Sequence, residues 1–236
     1  MILYKYNMIK PNLQERERSE AWRRERSSLR EEKKLWKKGY KRVACLDEAG
    51  RGPLAGPVVA GAVMIRRSDL PTFKNFWRSD LHNIKDSKQL TAKQREKFYK
   101  ILTKHLAIEW RVGKASEKVI DKINILEATK LAMARAIQKL KRKPDFLILD
   151  GNFKINSKIP QKSIIKADEK VFSCSAASII AKVSRDRIMR RYHKRYPLYC
   201  FNQHKGYPTL LHRKMLKKYG PCKIHRKTFG AIDKIR

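Results

Sequence analysis

Acid is scarce in this sequence beside its base. Only 22 of its 236 residues are Asp or Glu, against 58 Lys and Arg, for a formal net charge of +36. Such an excess repels itself unless a polyanion shares it, and nucleic acid is the commonest polyanion a protein meets. An anionic membrane surface or a plain solubility bias are the duller explanations. Cysteine is also scarce: Cys45, Cys174, Cys200 and Cys222 are scattered and form no CxxC pair. That argues against a disulfide framework and for free thiols in a reducing cytosol. No apolar run approaches the roughly 20 residues that span a bilayer. The opening MILYKYNMIK has no long apolar block followed by a small-residue cleavage site, so no secretory signal is read and a cytoplasmic, membrane-free protein is expected. An apolar fraction of 42% argues against disorder throughout, and the length suits one medium-sized domain with an appendage.

Residues 12–38 are charged, with sparse apolar positions, and nothing in them looks like a core element. Their Lys, Arg and Glu favour helix, and Gly39 is a natural stop. Residues 1–40 are therefore read as a basic helical extension, as readily a solvated helix as a nucleic-acid-binding one. The organised part follows over 41–236. Val43–Leu46 and Val58–Ile65 are apolar runs that suit buried strands. Thr91 with Gln94 three residues on is a capping box opening a helix from Ala92 to His105. Ile108, Trp110 and Val112 alternate with Glu109 and Arg111, the period of a half-buried strand. Leu126, Thr129, Met133, Ile137 and Leu140 mark one face of a long helix over 116–140. Phe146–Leu149 reads as a strand ending at Asp150, and Ile164–Ile165 as another ending near Asp168. A helix is expected over 176–192, and a C-terminal helical segment over about 193–236 with a short helix near 209–218. The class is α/β with a mixed sheet.

Few as they are, the acids recur at strand ends: Asp47 with Glu48 after VACL, Asp150 after FLIL, and Asp168 shortly after SII. One strand-end Asp is more often a turn former than a ligand. Asp186 in SRDRIM, flanked by arginines, is read as an ion-pair member. Four acids at the carboxyl ends of neighbouring strands would repel one another. Divalent cations with hard oxygen preferences, Mg²⁺ or Mn²⁺, relieve that repulsion. In a basic protein such a cluster suits a phosphodiester, and two ions can serve an in-line displacement. Gly50, Gly52 and Gly56, stiffened by Pro53 and Pro57, make either a rigid turn able to sense a sugar hydroxyl or a tight strand connection and nothing more. His204, His212, Cys222 and His225 match no common zinc spacing. From Lys182 onward there are 17 Lys and Arg against two Asp, with Tyr192, Tyr196, Tyr199, Phe201 and Tyr207 interspersed. That is the composition of a strand-binding surface, although tyrosines also simply pack.

The stretches DEAGRGPLAGPVVAGAV, DSKQLT, NILEAT, DGN, IIKADEKVFSCSAASIIAKVSRDR, HKGYPT and KYGPCKIHRKTF together resemble bacterial ribonuclease HII, the type 2 ribonuclease H family. The resemblance runs from about Gly39 to Phe229, in the family's order. It implies an RNase H-like mixed sheet flanked by helices. It also implies Mg²⁺- or Mn²⁺-dependent endonucleolytic cleavage of the RNA strand of RNA–DNA hybrids. Nicking 5′ of a ribonucleotide embedded in duplex DNA, leaving a 3′-hydroxyl and a 5′-phosphate, belongs to the same implication. By motif position the metal-binding, catalytic acids are Asp47, Glu48, Asp150 and Asp168. Gly50-Arg51-Gly52 corresponds to the loop that recognises the ribose 2′-hydroxyl, Tyr207 to the tyrosine that stacks on the following deoxyribose, and Lys88 to a phosphate contact. A monomer acting on these nucleic acids is expected. Ala167 stands where glycine is usual, and Val171 and Phe172 where smaller or more polar residues are; none removes a functional group. A related DNA-resolving nuclease, or a non-catalytic nucleic-acid-binding protein, are the competing classes.

Overall fold

The computed structural model describes residues 27–66, 68 and 90–233. Lys88 and most of the N-terminal extension lie outside them. Five strands, β1 (Val43–Ala49), β2 (Val58–Ile65), β3 (Ile108–Ala115), β4 (Phe146–Asp150) and β5 (Gln161–Ile164), form one mixed sheet in the order β3-β2-β1-β4-β5. The β1/β2 and β2/β3 pairs are antiparallel, while β1/β4 and β4/β5 are parallel. β2 is buried along its whole length, which is why its sequence is a continuous apolar run rather than an alternation.

Before the sheet comes helix α1 (Arg30–Lys37); α2 (Ala92–Lys104) and α3 (Glu117–Gln138) flank β3 in sequence. After β5 follow α4 (Ala167–Lys170), α5 (Phe172–Arg195), a 3₁₀ turn (Pro197–Tyr199), α6 (Phe201–His204), α7 (Leu210–Tyr219) and α8 (Gly230–Asp233). On one face of the sheet α3 packs Ala128, Ala132 and Met133 against Ala44, Leu46, Leu147 and Leu149. On the other, α5 brings Ala176, Ala177, Ile179 and Ile180 against Val63 and Ile65, and Cys174 against Val43, Cys45 and Ile148. The capping box at Thr91 and Gln94 is present at both of its hydrogen bonds.

Several expectations need correction. The 116–140 helix is interrupted at Asn124, whose φ is +63° and whose side-chain oxygen accepts from the N–H groups of Leu126 and Glu127. Asn124 therefore caps a second helix, and its Asn-x-x-Glu spacing is the signal that the periodicity concealed. α5 starts at Phe172, four residues early, because Val171 and Phe172 are fully buried and begin the packed face. β5 ends at Ile164, Ile165 is 65% exposed, and Asp168 sits on the single turn α4 rather than at a strand end.

The charged extension also carries core residues, against expectation. Leu35 and Trp36 of α1 are buried with Val43, Cys45, Ile148 and Cys174, each contributing about 1.5–3 kcal/mol of apolar burial. The backbone of Ser28 bonds Lys170 and Phe172, and Glu32 accepts from the Ser173 N–H at 3.2 Å. One face of α1 is thus laid across the start of α5. Gly39, at φ +97°, ends it as expected. No described helix is long and apolar enough to cross a membrane.

Candidate active site

Because β1 and β4 run parallel with Leu46 opposite Leu149, their next residues, Asp47 and Asp150, emerge side by side where the parallel ladder ends. Alternation in the strands does the rest. Val43, Cys45 and Ile148 face α5, so Asp47 and Asp150 share that face, while Ala44 and Leu46 belong to the α3 side and alternation puts Glu48, paired with Ala60, on that side too. Asp168 is brought to the same place by α4, which Asp150 itself helps fix by accepting the Ala167 N–H at 2.6 Å. The positive φ of this turn falls on Lys166 (+58°) and not on Ala167; hence alanine suffices there. One oxygen from each of Asp47, Asp150 and Asp168 lies within 4.8 Å of the others.

Asp47 is 4% exposed and Asp168 is 2% exposed. Burial, followed by the carboxylates of Glu48, Asp150 and Asp168, pushes the Asp47 carboxyl well above its ordinary range, with a hydrogen bond from Ser178 opposing the shift. Three clustered hard oxygens, one of them held against its own charge, fit a divalent cation. Glu48 stands apart from this trio. It is on the opposite face of β1 and pairs with Arg51 at 3.3 Å.

The loop Gly50–Pro57 leaves directly from these acids. Gly50 has φ +100°, and a Cβ there would lie 2.1 Å from Nε of Arg185. Its lack of a side chain is explained by the fold. Gly52 differs: it is exposed, and an added Cβ would meet nothing within 4 Å. The protein leaves the space above Gly52 open. Arg51 is exposed beside it. Tyr207 is 39% exposed, with Lys182 Nζ 5.5 Å and Arg185 Cζ 5.8 Å from its ring centre. The loop carrying it is joined to the glycine loop by the Leu54 N–H, which bonds the Gly206 carbonyl at 2.8 Å.

The zinc pattern dissolves on inspection of its nitrogens. His204 Nε2 donates to the Tyr199 carbonyl (2.7 Å) and its Nδ1 accepts from the Gly206 N–H (3.0 Å). His212 Nδ1 donates to the Tyr207 carbonyl (2.9 Å), and His225 Nδ1 accepts from the Cys222 N–H (2.8 Å). These bonds assign the tautomers, so that His225 Nε2–H donates to His212 Nε2 at 3.0 Å. The histidines are internal scaffolding under Tyr207. Asp186 pairs with Lys182 at 2.9 Å, as its flanking charges suggested. Sequence reasoning missed Arg185 and Arg226. Both were counted into a basic surface, and both are 0% exposed. Nothing in SRDR or HRK distinguishes a buried arginine from an exposed one.

Comparison with known proteins agrees with this geometry. A family model described as ribonuclease HII matches residues 44–232. The chain is similar to the ribonuclease HII of Chlamydia trachomatis, at 49% identity over 88% of this chain and 93% of the relative. It is also similar to that of Endomicrobium trichonymphae, at 45% identity over 86% and 92%. Among solved structures it resembles ribonuclease H2 from Pyrococcus horikoshii, at 32% identity and a TM-score of 0.64, covering 82% of this chain and 96% of the other. A mixed sheet with this strand order, an acidic trio beyond the parallel β1/β4 ladder and these relatives lead to one assignment: the chain belongs to the ribonuclease HII family and is a ribonuclease H enzyme.

Proposed function

We propose that this enzyme hydrolyses the RNA strand of RNA–DNA hybrids and nicks duplex DNA on the 5′ side of an embedded ribonucleotide, leaving a 3′-hydroxyl and a 5′-phosphate. The observation that carries the reading is the clustered trio Asp47, Asp150 and Asp168 placed directly beside a glycine loop whose outer face is open at Gly52. Asp47, Asp150 and Asp168 would hold Mg²⁺ or Mn²⁺, and Glu48, which stands outside the trio but whose charge acts on Asp47, would complete the site by turning from Arg51. When bound, such ions supply charge neutralisation at the scissile phosphate and lower the barrier to attack by water.

The chain's own residues do the selecting. Among the described residues no protein acceptor takes the N–H groups of Arg51 or Gly52, so both remain as donors for a ribose 2′-hydroxyl oxygen. That hydroxyl is what separates RNA from DNA at a given position. Tyr207 offers its half-exposed ring to the next sugar, with Lys182 beside it. Lysines and arginines hold the polyanion through phosphate contacts that carry no sequence information, and Lys88 of the DSK motif is assigned such a contact. Residues 41–236 form the catalytic domain, acting as a monomer, with 1–40 as its extension.

The test is a labelled DNA duplex carrying one ribonucleotide, an all-DNA duplex and a metal-free control, run in parallel. Nicking 5′ of the ribonucleotide only, and only with Mg²⁺ or Mn²⁺, is expected. Cleavage of the all-DNA duplex would transfer the enzyme to a DNA-resolving class, and no cleavage by folded protein would reject the reading.

A further inference from the structure

Two arginines buried to 0% exposure are unusual, since an arginine loses its hydration entirely and is ordinarily matched by a carboxylate. Among the described residues neither Arg185 nor Arg226 has a carboxylate at ion-pair distance. Their partners are backbone carbonyls. Arg226 donates through Nε to Gly56 O (3.0 Å), through one terminal nitrogen to Arg51 O (2.8 Å), and through the other to Gly50 O (2.5 Å) and Gly56 O (2.9 Å). Arg185 donates to Pro57 O (3.0 Å), Ala55 O (3.1 Å) and Lys205 O (3.0 Å). The Arg226 N–H takes Leu54 O at 2.8 Å as well. Five of the eight carbonyls between Gly50 and Pro57 therefore turn inward onto two side chains, and a sixth, that of Leu54, onto the backbone N–H of Arg226.

The consequences follow from geometry. A planar guanidinium has five donors in a fixed fork, so each arginine fixes the orientation of several peptide planes at once. Turning the Gly50 and Arg51 carbonyls inward orients the peptide planes whose N–H groups belong to Arg51 and Gly52. Arg185 also holds Lys205, two residues before Tyr207, and lies 5.8 Å from the Tyr207 ring. The Gly50 Cβ position is already occupied by Arg185, so the loop has no room to shift toward it.

We propose that Arg185 and Arg226 are positioning residues for ribose recognition, clamping the Gly50–Pro57 loop and the Lys205–Tyr207 loop into one rigid unit that presents the Arg51 and Gly52 amides and the Tyr207 ring at fixed separation. The inference rests on the reading of Gly50-Arg51-Gly52 as the 2′-hydroxyl sensor. It assigns the discrimination between ribose and deoxyribose to side chains that never touch the substrate. The acidic trio is carried on β1, β4 and α4, and neither arginine bonds any of its carboxylates.

The experiment compares wild type, Arg226→Lys, Arg226→Met and Arg185→Lys on a duplex with one embedded ribonucleotide and on a continuous RNA–DNA hybrid. Assays run well below each variant's melting temperature, with Mn²⁺-induced thermal shift as a separate readout of the acidic site. For Arg226→Lys, kcat on the single-ribonucleotide duplex is expected to fall at least tenfold with KM within threefold of wild type. The continuous hybrid, which offers a 2′-hydroxyl at every step, should lose less, and the Mn²⁺ shift should be unchanged. Arg226→Met should lose more than Arg226→Lys, because lysine restores a donor and a charge. Combined with Gly52→Val, Arg226→Lys should add little further loss, since both act through the same loop. Equal losses on both substrates, or an additive double variant, would overturn the clamp. If Arg226→Met fails to fold, the lysine variant and the double variant still decide the question. Wild type failing to nick the single-ribonucleotide duplex would instead condemn the underlying function, so the two failures are distinguishable.

Discussion

Asp47→Asn tests the carboxylate cluster through stability as well as catalysis. Asp47 is almost completely buried, and one of its oxygens lies within 4.8 Å of oxygens on Asp150 and Asp168. Two unit charges at that distance repel by about 3.5 kcal/mol at an effective dielectric of about 20. Proton uptake and the Ser178 hydrogen bond relieve part of this. A net stabilisation of about 1–3 kcal/mol is thus expected when the charge is removed, with the Glu48 N–H still able to bond the Asn oxygen as it now bonds Asp47 at 2.6 Å. For a domain of this size that is about 3–10 °C in melting temperature. The assay is a thermal melt at pH 8 in EDTA and again in millimolar Mn²⁺. In EDTA the variant should melt above wild type. Mn²⁺ at ten to a hundred times its dissociation constant should raise wild type by about 1.4–2.7 kcal/mol, and raise the variant much less. Nicking of the single-ribonucleotide duplex should drop by about 10³-fold or more, equivalent to roughly 4 kcal/mol of transition-state stabilisation, while duplex binding is kept or strengthened. A variant that melts below wild type in EDTA and gains as much from Mn²⁺ would refute the cluster as a cation site.

Other outcomes follow from the same structure. Glu32 is 1% exposed, with one carboxylate oxygen lacking a partner among the described residues, and burial raises its carboxyl to about 7. A raised acid favours folding below its ordinary pKa near 4.5 and loses that contribution as pH climbs through 7. Glu32→Gln should therefore stabilise the protein by about 2–3 kcal/mol at pH 8 and by little at pH 4.5, read by urea unfolding; a pH-independent difference would contradict this. Burial lowers both His212 and His225 to about 4, with neighbouring histidines adding to the effect. Their contribution is complete above pH 6.5 and declines toward pH 4, by about 3 kcal/mol for the first proton taken up by the pair. His225→Gln should flatten that acid limb. Gly52→Val, with open space around it, should fold normally yet lose ribonucleotide-junction cleavage more than duplex binding. Gly50→Ala, by contrast, meets Arg185 and a positive φ, and should destabilise by about 1–3 kcal/mol; indistinguishable melts for the two would contradict the packing argument.

Much of this was legible in the chain. The apolar runs at Val43 and Val58, the alternation through Trp110 and the capping box at Thr91 are local signals. They survive because burial period and cap chemistry act within a few residues. Asn124 was legible too, as an Asn-x-x-Glu cap, but a stronger helical period masked it. Asp47 and Glu48, adjacent in sequence, were grouped as equals. Strand alternation sends them to opposite faces, and only Asp47 joins Asp150 and Asp168. The Leu35 and Trp36 contacts were hidden because two apolar residues in a charged helix mean nothing until a partner surface exists.

By itself, the sequence determined the polyanionic partner through its charge, the strands through their periodicity, and the family through blocks that keep their order from Gly39 to Phe229. What only tertiary structure decided is which residues of one type do different work. Of 58 basic residues, Arg185 and Arg226 are drawn inside because carbonyls from a distant loop converge there. Of the three loop glycines, Gly50 is filled by Arg185 and Gly56 by Met189, while Gly52 is left open. Charge and residue type are local properties of a chain, whereas burial and convergence depend on which distant segments meet.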